Sequence, residues 1–279
     1  SYDQKEMIET VQTSAYALLT IINDILDFSK IEAGKLNLES APMSVFEVVE
    51  GVVQTLASNA VKKDIEIHSY VDPSIPDAVL GDSVRLRQVL FNLGGNAVKF
   101  THEGSVTIRA DRMPSSAQDE VTLRLQVIDS GIGISEKAQA SLFEAFTQAE
   151  SSTTRKFGGT GLGLTISQRL VTIMGGRLEV ESELEKGSCF SVIVKLPVTD
   201  DHQIKSDGYD FKESNVLLAL QDPFLIDVLP KYISHWGGKV TTQSSFELLE
   251  TQIAGAAKSS TPFDVLYVEN VGLQAGTDI

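Results

Sequence analysis

Asn92-Leu93-Gly94-Gly95-Asn96-Ala97-Val98-Lys99-Phe100-Thr101 closes a helical stretch that the sequence predicts from about Ser83 to Phe100, behind a capping Asp82. Asn92, Asn96 and Lys99 stand at i, i+4 and i+7, so two amides and an ammonium share one helix face. Amide oxygens are hard ligands suited to Mg²⁺, which takes one or two ligands from protein and the rest from water and phosphate. Lys99 would offset phosphate charge. A plain solvated polar face has the same spacing. Gly94 and Gly95 each cost roughly 1 kcal/mol in a helix relative to Ala, which predicts the close approach of a neighbour.

Three other segments carry chemistry. Asp129-Ser-Gly131-Ile-Gly133 ends a predicted strand, where a carboxylate can accept a hydrogen bond from an exocyclic amine such as that of adenine. Glycines beside it let a ligand approach the backbone, although an isolated D-x-G-x-G is also an ordinary strand-to-helix turn. Gly158-Gly159-Thr160-Gly161-Leu162-Gly163-Leu164 precedes a helix predicted to open at Thr160 or Gly161, and backbone N–H groups at such a start bind anions. This run lacks the Lys-Ser/Thr of a P-loop, and it is not a G-x-G-x-x-G after a strand. Phe143-Glu-Ala-Phe146 puts two aromatics at i and i+3 before the polar loop 148–159, placed to clamp its base or to join the core.

The 279 residues carry 38 acidic and 23 basic side chains, a net charge of −15 with His neutral, and 42% are hydrophobic. That length predicts roughly two domains with buried cores and excludes a disordered or collagenous chain. The acidity disfavours nucleic acid and anionic membrane surfaces as partners, so a polyphosphate ligand would need a local positive device or a metal ion. One cysteine, Cys189, permits no internal disulfide. No apolar run reaches the roughly 18 to 20 residues of a membrane span, and Ser1 to Ile8 is polar rather than a signal sequence. The segment as given reads as soluble and cytoplasmic.

Ile8, Val11, Ala15, Leu18, Ile22 and Ile25 form an a/d seam, and Leu19, Ile21, Leu26 and Phe28 widen it. This predicts a bundle helix whose partners lie outside the chain, with Gly34 as its C′ residue; a terminal helix lying on its own domain is the simpler alternative. A helix over Val45–Val61 behind a Ser44/Glu47 capping box follows, then a strand over Asp64–His68 and the helix over Ser83–Phe100. Strands over Ser105–Arg112 and Val121–Ile128, a short helix from Ser135, a helix ending at Met174, and strands over Arg177–Glu183 and Ser188–Leu196 complete an α+β sandwich. Its mixed sheet carries helices on one face. Residues 199–213 read as a linker. Strands over Asn215–Leu220, Lys239–Thr242 and Phe263–Val268 alternate with helices over Phe224–Trp236 and Phe246–Ile253, the pattern of a partial doubly wound parallel α/β domain.

In this order, Asn92-x-x-x-Asn96, Asp129-x-Gly131-x-Gly133, Phe143-x-x-Phe146 and Gly159-Thr-Gly161-Leu-Gly163 resemble the N, first glycine, F and second glycine boxes of the sensor histidine kinases. These belong to the ATP-binding superfamily shared with gyrase, the heat-shock chaperones and mismatch-repair ATPases. Arg85-Leu-Arg87-Gln88, Ser152-Thr-Thr-Arg155-Lys156 and Gly187-Ser188…Phe190 add to the resemblance, and Asn23 to Lys35 resembles the second helix of the dimerisation and phosphotransfer domain in hybrid kinases. It implies a dimerisation helix over residues 1–40, a catalytic ATP-binding domain over 41–198, the linker, and a partial receiver-like domain over 214–279.

Residue by residue, the resemblance implies that Asp129 binds the adenine amine, with Gly131 and Gly133 beside it. Asn96 would coordinate Mg²⁺, Asn92 support it, and Lys99 lie near the phosphates. Thr153 through Gly163, including Gly159, Thr160, Gly161 and Leu162, would form the ATP lid and its hinge, with Arg155 or Lys156 facing phosphate and Phe143 and Phe146 at its base. Asn92 stands where several hydrolytic relatives hold a basic Glu, which favours phosphoryl transfer over hydrolysis. None of His68, His102, His202 and His235 matches the acceptor motif. The implied partners are a second copy through the bundle and a receiver in cis or a response regulator in trans. Phe263 to Glu269 resembles the strand that ends in the phosphorylated Asp of receivers. Glu269 stands at that position, and Gln221 and Asp222 stand where the metal-binding acidic pair would be, so a degenerate, regulatory receiver is expected. A hydrolytic ATPase and a catalytically silent scaffold are the alternatives.

Overall fold

The computed structural model describes residues 2–115, 119–145, 161–199, 210–245, 248–258 and 261–269. The chain forms two compact units, Ser1–Val71 with Ile75–Ile204 and Asp72–Ser74 with Lys205–Ile279. The first contains helix α1 (Tyr2–Glu32), strand β1 (Ala41–Met43), helix α2 (Val45–Val61), strands β2 (Glu66–Val71) and β3 (Val79–Gly81), and helix α3 (Ser83–Phe100). Strands β4 (Ser105–Met113) and β5 (Glu120–Asp129), the short helix α4 (Glu136–Gln139), helix α5 (Gly163–Ile173), and strands β6 (Arg177–Glu183) and β7 (Gly187–Pro197) follow.

Five strands make one mixed sheet in the order β2-β4-β5-β7-β6, parallel between β2 and β4 and antiparallel elsewhere. The strands alternate as a one-sided sheet must. Val106, Ile108 and Ala110 of β4 are buried with Val121, Leu123, Leu125 and Val127 of β5, and this face packs against α2, α3 and α5. The opposite face is polar and half-buried; there Arg109 pairs with Asp111 at 2.7 Å and lies 4.9 Å from the Tyr70 ring centroid. The expected α+β sandwich with helices on one face is the observed architecture.

α3 is the central helix of that layer. Leu86, Val89, Leu90, Leu93, Ala97 and Val98 are buried, each large aliphatic side chain removing enough apolar surface to stabilise by roughly 1.5–3 kcal/mol. Gly94 makes this packing possible, because a Cβ there would sit 2.6 Å from Leu56 Cδ1 of α2. Gly95 differs from the expectation: nothing lies within 4 Å of its would-be Cβ, so only one of the two glycines marks a close approach. Both ends of α3 are pinned. Asp82 Oδ1 accepts the Arg85 N–H at 3.0 Å, and its Oδ2 accepts the Glu39 N–H at 3.0 Å, binding the extended 35–40 segment to the helix start. At the other end Lys63 Nζ donates to the carbonyls of Val98 and Lys99 at 2.7 Å and of Thr101 at 3.1 Å.

Several boundaries differ from the sequence expectations for local reasons. β2 begins at Glu66 rather than Asp64, because Asp64 adopts φ +58 to end α2, a left-handed conformation that Asp tolerates. β1 and β3, three residues each, pair antiparallel from Ala41↔Gly81 to Met43↔Val79; both are too short to show a period of two. α5 begins at Gly163, two to three residues later than expected, because Gly161 at φ +68 cannot belong to a right-handed helix.

α1 keeps its seam in solvent: Val11, Leu18, Leu19, Ile21, Ile22, Ile25 and Leu26 are 40–63% exposed. Its last turns touch the sandwich. Ile31 is buried, Phe28 packs on the core, Asp27 Oδ2 accepts from Arg85 Nη1 at 2.9 Å and Gln88 Nε2 at 2.8 Å, and Glu32 pairs with Arg169 at 3.4 Å. Gly34 ends the helix at φ +62, with the Lys35 N–H returning to the Lys30 carbonyl at 2.9 Å. Among the described residues no helix is long and apolar enough to cross a membrane.

The second unit is a three-stranded parallel sheet, β10-β8-β9, formed by β8 (Asn215–Ala219), β9 (Lys239–Gln243) and β10 (Val265–Val268). Helices α6 (Pro223–His235) and α7 (Leu249–Ala257) join the strands. α7 lies later than the expected Phe246–Ile253, and residues 246 and 247 lie outside the described residues.

Replacing Lys63 with Met retains most of the apolar stem and removes the charged donor from three carbonyls. Hydrogen bonds to charged groups contribute about 1.5–3 kcal/mol, so Lys63→Met is expected to lower unfolding stability by about 2 kcal/mol in a urea titration. An unchanged midpoint would show that water replaces this cap at no cost.

Candidate functional site

The polar face of α3 lies opposite its buried leucines. Asn92, Asn96 and Lys99 are all half-buried there. The Asn92 Nδ2 donates to Ser167 Oγ of α5 at 2.9 Å, and its Oδ1 would lie 2.4 Å from a Cβ placed on Gly163. Gly163 is therefore required for contact between α3 and α5, and the start of α5 is held directly against Asn92. Lys99 Nζ stands 4.9 Å from the Phe100 ring centroid, and desolvation by burial lowers its pKa, so an anion brought to it would restore a favourable environment for its charge.

The loop after β5 packs on the end of the same helix. Ile132 N–H donates to the Phe100 carbonyl at 3.4 Å, and a Cβ on Gly131 would sit 2.7 Å from that oxygen. Gly133, at φ +68, leaves no room for a side chain because the Glu183 carbonyl would be 2.0 Å from its Cβ. These two glycines thus serve protein–protein backbone packing. This packing fixes the loop relative to α3 and β6.

Asp129 is 8% exposed at the end of β5. Its Oδ1 accepts the Gly131 N–H at 2.9 Å, and it also accepts from the backbone and hydroxyl of Ser188 on β7. Those three bonds favour the carboxylate, yet burial outweighs them and its pKa is raised. Behind Ser188, Ser182 Oγ lies 3.0 Å from the Ser188 hydroxyl and accepts the Ile134 N–H at 2.8 Å, linking the site to the approach to α4. A buried carboxylate at a strand end, supported by a hydroxyl chain, is suited to hydrogen-bond a ligand's amine.

α5 starts behind Leu162, which makes no side-chain cap, and its first turn holds no acidic residue, so its N–H groups present the positive end of the helix dipole. Thr165, also buried, donates to the Phe143 carbonyl at 3.0 Å, and Phe143 packs on the core. Phe146, Arg155, Lys156, Gly159 and Thr160 lie outside the described residues.

Among the described residues no group of three His, Cys, Asp or Glu side chains could cage a metal. A divalent ion would have to arrive with a ligand that supplies most of its oxygens, as Mg²⁺ does with nucleotide phosphates, and the Asn96 amide is the kind of hard donor that fits.

Comparison with known proteins agrees with this fold. Residues 81–200 match the family described as Histidine kinase-, DNA gyrase B-, and HSP90-like ATPase. The chain carries an ATPase domain of this family. Sensor histidine kinase GacS of Pseudomonas protegens is 38% identical over 94% of the chain, and signal transduction histidine-protein kinase BarA of Escherichia coli K12 is 45% identical over 69%. The chain spans 28% and 21% of the lengths of these relatives. A crystal structure described as ShkA full-length in complex with AMPPNP superposes with a TM-score of 0.71 at 29% identity, covering 89% of this chain and 50% of that one.

Within the ATPase domain the structure draws Asn92, Lys99, Asp129, Gly131 and Gly163 onto one wall made by α3, the β5–α4 loop and the α5 start. Sequence reasoning assigned no role to Ser167 or Ser188. Ser167 was detectable as a hydroxyl at a core position of an apolar helix, between Ile166 and Leu170.

In the second unit, Glu269 Oε2 accepts the backbone N–H groups of Gln221 at 2.6 Å and Asp222 at 2.9 Å, while Asp222 Oδ1 caps α6 through the Phe224 N–H at 2.7 Å. The carboxylate after β10 is thus engaged by the loop after β8.

The raised pKa of Asp129 makes a signed stability prediction. The folded state holds this proton above the ordinary carboxylate value, so the associated stability is fully present at low pH and is lost as pH rises through the folded pKa. Asp129→Asn removes the penalty. Its melting temperature is expected to exceed the wild type at neutral pH, with the difference shrinking as pH falls below the usual carboxylate range. A variant less stable at neutral pH would show that the three hydrogen bonds outweigh burial.

Proposed function

We propose that the first unit binds ATP with Mg²⁺ and presents the γ-phosphoryl group to a histidine on a bundle helix that is not in this sequence, as part of a two-component histidine kinase phosphorelay. The observation that carries the reading is Asp129, a buried carboxylate braced by Gly131 and Ser188 beside the Asn92–Lys99 face. The Asp129 carboxylate serves the adenine amine. Asn96 would supply one oxygen to Mg²⁺, which neutralises phosphate charge when bound. Lys99 attracts the phosphates, and the uncapped start of α5 orients them. Arg155 and Lys156, with the rest of the lid through Leu162, would close over them. Phosphoryl transfer demands mainly positioning and charge stabilisation, which this set provides.

Asn92 favours transfer over hydrolysis because an amide cannot take a proton from water. The exposed seam of α1 supports pairing with a second copy in a bundle, and a cytoplasmic setting suits such a kinase. The second unit would act as a degenerate receiver: a Glu held by two loop amides stands where a phosphoacceptor would be, which supports a regulatory role for this unit.

Calorimetric titration with AMPPNP and Mg²⁺ tests the reading. The wild type is expected to bind, and Asp129→Asn to bind at least roughly tenfold more weakly, the loss of one charge-assisted hydrogen bond. Incubation with radiolabelled ATP should leave His68, His102, His202 and His235 unlabelled. Absence of wild-type binding, or label on any of these histidines, would contradict the proposal.

A further inference from the structure

The hydroxyl of Ser167 is 2% exposed, on an α5 face otherwise made of Thr165, Ile166, Leu170 and Val171. Its described partner is the Asn92 side chain, whose Nδ2 donates to it at 2.9 Å. An Asn amide has two different ends, and a neighbour that takes one end decides where the other points. Here the NH2 end is turned to Ser167, and Oδ1 is turned toward Gly163, where the absence of a Cβ leaves it room. The oxygen therefore faces the first turn of α5, whose N-cap residue, Leu162, has no side-chain capping bond. Ser167 on one side and Gly163 on the other confine the Asn92 side chain between α3 and α5.

We propose that Ser167 is a positioning residue: by holding the NH2 end of Asn92 it aims the amide oxygen at the phosphate and metal end of the nucleotide site. This rests on the ATP-site reading above. Asn92 is the group that acts there; Ser167 touches no ligand and works through it. Adenine recognition runs through Asp129, which belongs to β5 and is braced by Ser188, so it is independent of this pair. Partners that orient a metal-site group typically change metal affinity ten- to a hundredfold when removed.

The test is AMPPNP binding by the 279-residue protein, measured calorimetrically in Mg²⁺ and again in EDTA. Ser167→Ala is expected to keep its metal-free affinity within about twofold of wild type and to lose roughly tenfold or more of the affinity that Mg²⁺ adds. Ser167→Thr, which keeps the hydroxyl, should restore it. Asn92→Ala should show the same selective loss, and the double variant should lose no more than Asn92→Ala alone, because the two side chains act as one unit. The proposal is overturned if Ser167→Ala keeps the full Mg²⁺ increment, if it loses metal-free affinity in equal measure, or if the double variant's losses add. Wild-type protein that binds no nucleotide in either buffer would instead overturn the ATP-site reading itself, and the positioning role with it.

Discussion

Burial of one side of α3 is the constraint on which the rest of the first unit depends. Its leucines and valines fill the space between α2, α5 and the sheet, and Gly94 lets α2 close in against Leu56. Asp82 and Lys63 fix the ends of the helix with bonds to backbone groups. Summed over several aliphatic side chains, the apolar term exceeds any single polar contact by several-fold. With that side committed to the core, the helical period leaves Asn92, Asn96 and Lys99 on the remaining face. The β5–α4 loop then seats on the Phe100 carbonyl and α5 seats on Asn92, so three segments distant in sequence meet through one helix.

The site is assembled against local stability. Burial raises the pKa of Asp129 despite three hydrogen bonds, burial lowers that of Lys99, and the start of α5 has no side-chain cap. Each would be relieved by a ligand that offers an amine to the carboxylate and phosphate to the cation and the helix start. An adenine nucleotide carries both at opposite ends. On the proposed reading, a net charge of −15 is compatible with a polyanionic ligand: the long-range field is unfavourable, while the groups proposed to meet the ligand are locally matched to it.

Much of this was legible in the sequence because it rests on local periodicity and caps. α2 and α3 follow from Ser44, Asp82 and their apolar spacing, and the long strands follow from strict alternation. The elements that were not legible are set by tertiary contacts or single dihedrals. β1 and β3 are too short for a pattern, β2 is displaced by the left-handed Asp64, and α5 is delayed by Gly161. At the candidate site, motif spacing picked out Asn92, Asn96, Lys99 and Asp129, and the helical period and the strand end were enough to place them. It could not show the packing demand on Gly131 and Gly133, since the Phe100 and Glu183 carbonyls that exclude a side chain there come from elsewhere in the chain. Ser167 and Ser188 were given no role because a serine has meaning only once its partner is known.

The central claim is that α3, the β5–α4 loop and the start of α5 form a single nucleotide site. Backbone amide chemical shifts, followed by NMR as AMPPNP and Mg²⁺ are added, test it most directly. The account predicts that the largest changes among residues 2–199 fall together, on one binding curve, at 92–99, 129–133 and 161–167. Changes absent from any one of these three segments, or no changes at saturating nucleotide, would contradict it.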